Sequence, residues 1–334
     1  MCYVARSDLA LINLMKILYI SNMYPGMTPA LPYAGVFVKE QIEAINRNCK
    51  QCKSKVFVID GVSSKLNYLW SIFQIHRIIK RYQPDIIHIH YGLSALFLLF
   101  FPRYRKQCVV TLHGGDIMPQ QKNWMQIFLT KKIIKHVAFV ITLNREMEEI
   151  VSGLMPRYAT IKCGVDINFF DCDLNSRKSG PQKVVIFPAD PKRGVKDYPL
   201  FEKSIAYIKD KSAFDLKIIA LSNMSREQVK NALCVADCML LTSVSEGSPQ
   251  VIKEAIACNL PIVSVDVGDV KEILEGIANC YVGNGRSAEE LGEYVLAVLL
   301  EKAESDGRQH LIAKGLGNDN IAKSIIALYL SILN

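Results

Sequence analysis

The sequence has no apolar run approaching the roughly 20 residues that a membrane-spanning helix needs. No G-K-[ST] phosphate loop occurs, which excludes the P-loop nucleotide-binding class. Cys49 and Cys52 form a C-x-x-C on a polar stretch, but no second pair and no spaced histidines accompany it, which disfavours a zinc site. The ten cysteines are scattered, several inside apolar runs (Cys108, Cys234, Cys238), so reduced thiols in a cytoplasmic protein are expected. Residues 1–14 do not read as a secretion signal, because Arg6 and Asp8 interrupt the apolar residues and no cleavage-like site follows. MKILYIS is an ordinary first strand, so Met15 is the expected native start, with residues 1–14 a loose tail or an upstream-start artefact.

What is present suits two globular domains. At 334 residues the chain is long enough for two cores, and 50% hydrophobic with 22% charged residues excludes a disordered chain. The net charge of +8 fits nucleic acid, anionic lipid or phosphorylated substrates and does not choose among them.

The most informative stretch is Ser245-Glu246-Gly247-Ser248-Pro249-Gln250-Val251-Ile252-Lys253-Glu254. The apolar run Cys238–Leu241 before it reads as a buried strand. Ser248 suits an N-cap, Pro249 the first helical position, and Val251, Ile252, Ala255 and Ile256 one apolar helix face. A helix N-terminus at a strand's carboxyl end is a natural phosphate site in doubly wound sheets. Glu246 and Glu254 flank it, and as carboxylates they suit hydroxyl groups on either side of a phosphate better than the phosphate itself. A capped surface helix with two ordinary glutamates fits the same spacing.

Glu246 and Glu254 enclose seven residues, and LLTSVSEGSPQVIKEAIACNLPIVSVDVGDVKEIL resembles the E-x7-E signature of retaining glycosyltransferases of family 4. Weaker pieces of the resemblance recur along the chain. YP…AGVFVKEQIEAI, in which Gly35 opens a helix, is similar to the family's N-terminal glycine loop, whose backbone meets the donor diphosphate. DIIHIHYG resembles the third-strand phrase, and no further ligand is spaced to make His88 and His90 a metal site, so strand-end packing is the favoured reading for them. VVTLHGGD resembles T-x-H-G-x-D, which implies that His113 sits beside the transferred sugar; a turn with the ring packed over it is the plainer reading. Cys163-Gly164-Val165-Asp166 to Phe170 resembles N-G-V-D-x-x-x-F, with Cys163 where the family has asparagine, and Asp171–Lys183 reads as the linker. In PADPKRGVKDYP the family's strand-end arginine falls on Ala189, so Arg193 and Lys196 are the expected diphosphate ligands, with Lys192 in reserve. Gly283-Asn284-Gly285-Arg286 mimics a dinucleotide fingerprint but lies at the end of the sheet and is discounted.

Strands are expected at 16–21, 55–59, 85–90, 108–112, 138–143 and 160–162, then at 184–187, 216–221, 238–241, 262–265 and 279–282. Helices are expected at 66–82 and in the closing stretch 318–334, and LSALFLLFF (93–101) as a buried helix ending in a basic turn. That segment and KNWMQIFLTKKIIKH (122–136) mix aromatic, apolar and basic residues, as do core-facing amphipathic helices and membrane-surface anchors alike.

The resemblance implies the α/β GT-B architecture, two doubly wound Rossmann-like domains facing across a cleft. Residues 1–170 with a returning 318–334 would form the acceptor side and 171–317 the nucleotide-sugar side. It implies a nucleotide-diphosphate sugar as donor substrate, no cofactor, no metal and no nucleic acid. Donor-binding residues would be Gly35, Arg193, Lys196, Ser248, Gln250 and Glu254; Glu246 and His113 would act on the sugar. A lipid-linked glycan acceptor at the inner membrane face, in capsule, exopolysaccharide or O-antigen-like assembly, is the expected partner. A nucleotide-sugar epimerase and a non-catalytic binding module are the alternatives.

Overall fold

A computed structural model describes residues 14–27, 33–121, 123–172, 182–301 and 305–334. Every strand pairing in it is parallel. Parallel neighbours cannot be joined by tight hairpins, so each strand hands the chain to a crossover before the next begins.

The first unit runs to Cys163 and takes back Asn318–Asn334; the second is Gly164–Gly317. The first contains β1 (Met15–Ser21), β2 (Cys52–Val58), β3 (Ile86–His90), β4 (Cys108–Thr111), β5 (Phe139–Thr142) and β6 (Tyr158–Thr160), in the order β2-β1-β3-β4-β5-β6. The alternation of strand side chains decides its layers. Ile17 and Tyr19 of β1 join one core with α1 (Val36–Asn48) and α11 (Asn318–Leu333), while Leu18 and Ile20 face a second core with α2 (Asn67–Tyr82). α3 (Trp124–Ile134) and α4 (Arg145–Ser152) add to that second core through Ile133, Ile134, Met147 and Val151. With both faces covered, β3 is buried at all five positions, as its unbroken apolar and imidazole composition requires.

The second unit repeats the plan with β7 (Gln182–Phe187), β8 (Asp215–Ala220), β9 (Cys238–Leu241), β10 (Ile262–Val265) and β11 (Tyr281–Gly283), ordered β11-β10-β9-β7-β8. Its helices are α5 (Tyr198–Lys211), α6 (Arg226–Val235), α7 (Gln250–Ala257), α8 (Val270–Leu274), α9 (Ala288–Glu301) and α10 (Gly307–Ala313).

Three expectations change. The boundary falls after Cys163 rather than after Phe170, because the Val165 N–H donates to the Leu316 carbonyl (3.0 Å) and Phe170 is wholly buried in the second core. Most of the expected linker, Asp171–Lys183, lies outside the described residues, as do residues 1–13. Residues 93–101 do not form an α-helix: Gly92–Leu99 and Pro102–Gln107 are tighter 3-10 segments. The thiols are not all reduced. Cys49 bonds Cys52 at the turn between α1 and β2, and Cys172 bonds Cys234 on α6. Cys258, buried just after α7, brings a third sulfur within 4.8 Å of the second pair.

Alkylation of the unfolded, unreduced chain should therefore leave four of the ten cysteines unlabelled until a reductant is added. Cys172→Ser should lower stability by up to about 4 kcal/mol, the loop-closure contribution for partners 62 residues apart. Complete labelling without reductant would restore the all-thiol expectation.

Candidate functional site

In an open parallel sheet the crevice for ligands forms beyond the carboxyl ends of two strands whose connections leave in opposite directions. The strand orders put that point between β1 and β3 in the first unit and between β7 and β9 in the second. The residues singled out in the sequence gather at these two places.

At the first, Gly35 precedes α1 with φ 75°, and a Cβ there would collide with the Met23 carbonyl and the Tyr24 nitrogen. A glycine is thus required by the close return of the β1 loop, whatever ligand it meets. His113 follows β4. One of its ring nitrogens is 3.2 Å from Nδ1 of His90, whose ring stacks on His88 at 4.5 Å. His88 in turn sits between the Tyr329 hydroxyl and Thr111 Oγ1 (2.5 and 2.7 Å). Burial disfavours the charged imidazolium, holding His88 down to about 3, His90 well below its ordinary value and the half-buried His113 down to about 4. His113 is therefore a neutral ring at physiological pH, suited to hydrogen bonding rather than to delivering a proton. The loop is set by Asp116, fully buried, which accepts hydrogen bonds from the N–H groups of Gly92 (2.8 Å) and His113 (3.0 Å); burial lifts its pKa to about 6. Tyr91 beside it adopts φ 78°, a strained conformation for a bulky residue, of the kind that concentrates at functional sites.

At the second, α7 begins one residue later than its sequence suggests. Pro249 is the N-cap and Gln250 the first helical residue. Ser248 makes no cap because its hydroxyl is engaged elsewhere: it donates to Asp269 Oδ2 (2.7 Å) and accepts from Nζ of Lys253 (2.7 Å), a lysine with no exposed surface. The loop backbone is fixed from another side by Gly268 (φ 60°), where a Cβ would lie 2.8 Å from the Gly247 carbonyl oxygen. Glu246 forms an ion pair with Lys196, and both side chains are nearly buried. Glu254 pairs with Arg226 at 2.5 Å, and the Arg226 guanidinium lies 4.6 Å over the Phe170 ring. Arg286 staples the neighbouring loops, donating to the carbonyls of Thr242 (2.7 Å) and Ser243 (2.9 Å) and to Asp197 (2.5 Å).

Of the expected donor-site residues, Glu246, Glu254, Lys196 and Ser248 thus surround the start of α7. Gln250 is there too, but its amide donates to the Gly164 carbonyl. Arg193 and Lys192 stand exposed on the β7 loop and do not join the carboxylates.

Residues 40–169 match the family described as Glycosyltransferase Family 4, and residues 205–315 match Glycosyl transferases group 1. The chain belongs to the family-4, group-1 glycosyltransferases. Two curated relatives agree. A Bacillus subtilis (strain 168) protein named as the teichuronic acid biosynthesis glycosyltransferase TuaC is 26% identical over 57% of this chain and 55% of its own length. The alpha-galactosylglucosyldiacylglycerol synthase of Streptococcus pneumoniae is 35% identical over 26% of this chain and 25% of its own. The chain thus spans about half the length of the first relative and a quarter of the second. Among solved structures, Anabaena Alr3699/HepE in complex with UDP has a TM-score of 0.72 at 15% identity, covering 95% of this chain and 100% of that one, which shows a shared GT-B fold.

Two cations of this cluster escaped the sequence reading. Arg226 opens α6, and the spacing Ser225-x-x-Gln228, which closes a capping box, would have marked that helix start. Arg286 lies within the discounted glycine motif, where it ties loops together.

Two predictions follow from the buried charges. Lys253→Met should destabilise the chain by about 2 kcal/mol, since the Ser248 hydroxyl loses a buried charged donor; denaturant melts measure it. The second concerns acid. All three histidines titrate lower folded than in the unfolded chain, where they take protons near pH 6.5, so stability is held above that value and lost as pH falls towards 4. Asp116 opposes them: raised to about 6, its contribution is complete below its ordinary 3.8 and lost as pH rises through 6. Three histidines outweigh one carboxyl, so the melting temperature should fall steadily from pH 7 to 4.5. A flat profile would mean that the imidazoles are not buried neutral.

Proposed function

We propose that this chain transfers a sugar from a nucleotide-diphosphate donor to an acceptor hydroxyl, with retention at the anomeric carbon. The observation that carries the reading is the pair of matched contacts beside the start of α7, Glu246 with Lys196 and Glu254 with Arg226. Bare carboxylates would repel a diphosphate. Here each is matched by a cation, and the first N–H groups of α7 add positive field. An anionic bridge laid there finds donors, and hydroxyls to either side of it find acceptors.

Lys196, Arg226 and the α7 N-terminus would hold the diphosphate and stabilise the charge that grows on it as the bond to the sugar breaks. Arg193, on the same loop as Lys196, would lend further charge from its exposed position. Glu246 would accept from the sugar hydroxyls and Glu254 from the ribose. Gly35 and the neutral His113 keep the roles that the family resemblance gives them, at the diphosphate and beside the sugar. Retention is likewise a reading from the family: the acceptor oxygen bonds the anomeric carbon on the face the phosphate leaves, and the acceptor's proton passes to the departing phosphate. Side chains and a helix end supply the positive field, so the scheme uses no metal. For the acceptor we take a lipid-linked glycan in surface-polysaccharide assembly. The relatives support it, one being named for teichuronic acid biosynthesis and the other for a glycosylated diacylglycerol.

A panel of nucleotide sugars should contain one that raises the melting temperature of the intact chain. Glu254→Ala should weaken that donor at least about tenfold, the loss of one good hydrogen bond to a charged group. Turnover should survive chelation by EDTA. Stabilisation by no donor would leave a non-catalytic module, and isomerisation of the donor without acceptor would make the chain an epimerase.

A further inference from the structure

The positive charge of this chain is not spread evenly. Residues 61–136 hold 11 of its 40 lysines and arginines but only two of its 32 acidic residues, a local net charge of +9 against +8 for the whole chain. Of those two acids, Asp116 is buried, and Asp85 accepts from the Lys16 N–H at the amino end of the sheet.

The same segment carries an aromatic face that none of the described residues covers. α2 buries Tyr68, Ile72, Ile75 and Ile79 against the sheet. On the opposite side, at helical spacing, Leu66, Leu69, Trp70 and Phe73 point outward, and the stripe continues one turn later as Arg77, Lys80 and Arg81. α3 repeats the order, with Trp124, Met125 and Phe128 exposed in its first turns and Lys132 and Lys135 after them. Both helices pack on the 3-10 segment Gly92–Leu99, whose end exposes Phe100 between them in the chain, so the two aromatic turns flank one segment. Lys132 Nζ lies 4.5 Å over the Phe128 ring.

Topology orients this surface. Both helices run back against parallel strands, so their aromatic first turns lie at the carboxyl end of the sheet, the end that carries His113, and their basic last turns lie behind. Trp70 and Trp124 are each 70% exposed, which water alone does not favour. Aromatic rings at headgroup depth with lysine and arginine beside them are the chemistry of an interfacial anchor on an anionic bilayer. A soluble polyanion would call for the charge but not the aromatic stripe.

We propose that this face of the first unit, Leu66–Phe73 of α2 with Trp124–Phe128 of α3, seats the protein on an anionic lipid bilayer, with the basic last turns of both helices held at the headgroups. The surface deepens the reading of a lipid-linked acceptor, because the apolar edge and His113 share one end of the sheet. Its test needs no nucleotide sugar.

Trp70 and Trp124 are the only two tryptophans in the chain, so intrinsic fluorescence reports the surface directly. Phosphatidylcholine vesicles containing phosphatidylglycerol should sediment the full chain at low salt and shift its emission to the blue. Pure phosphatidylcholine should do so weakly. Replacing Arg77, Lys80 and Arg81 with glutamine should weaken binding on the order of 100-fold, given about a fivefold contribution per cation near the surface. Trp70→Ser with Trp124→Ser should abolish sedimentation while leaving the melting temperature and any donor-induced shift intact. Absence of sedimentation and blue shift with anionic vesicles at low salt would overturn the proposal. So would a concentration-dependent dimer that the two serine substitutions dissolve in a chain that ignores vesicles. A chain that binds vesicles but is stabilised by no nucleotide sugar keeps this surface and loses the proposed activity; the reverse result does the opposite.

Discussion

A parallel strand cannot turn back on itself, and that constraint arranges everything functional in this chain. Each strand must release the backbone at its carboxyl end and receive it again, through a helix, at the other. Loops and helix N-termini therefore accumulate at one end of each sheet, where backbone donors lack helical partners. The reversals of strand order, at β1/β3 and β7/β9, open that end. Gly35, Tyr91 and His113 collect at one such place, and Lys196, Glu246 and the start of α7 at the other.

Around α7 the second unit accepts an energetic cost. Lys253 is fully buried and Glu254 and Asp269 nearly so, and taking such charges from water is unfavourable unless each is matched. The matching is complete enough to be rigid: Lys253 reaches Ser248, Ser248 reaches Asp269, and Arg226 reaches Glu254. Apolar residues in place of the whole set would stabilise the fold as well or better, whereas removing one member leaves its partners unmatched. What the charges add is a loop whose backbone position is specified from several directions, with Gly268 pressed against the Gly247 carbonyl.

Most of the fold was legible because buried parallel strands advertise themselves. IIHIH, CVVT, CMLL and IVSV are short, apolar and punctuated, and each became a strand within a residue of its expected bounds. β6 was placed two residues late, since a three-residue edge strand carries little pattern. Glu246 and Glu254 were found by their spacing. Arg226 was not, because it comes from a helix 28 positions earlier and meets Glu254 only through the β8–β9 crossover. The Ser248 cap failed for the same kind of reason: the local rule was sound, but Asp269 and Lys253 competed for the hydroxyl. Leu69 and Phe73 are apolar like the residues that α2 buries, and nothing in α2 alone says which of its two apolar faces meets the sheet.

The return of α11 to the first unit has a consequence for synthesis. Tyr329, wholly buried, places its hydroxyl on His88 of the central strand, and Ile325 and Ile326 fill the core beside α1. The first unit thus lacks part of its interior until Asn318–Asn334 has emerged, after the whole of the second unit. The second unit, Gly164–Gly317, is one uninterrupted segment and has every residue it needs earlier. A chain cut off before Asn318 would therefore leave the first unit incomplete and the second one whole. The order of emergence and the order of completion run opposite ways, and a nascent chain must keep β1 to β6 soluble across the synthesis of a whole intervening unit.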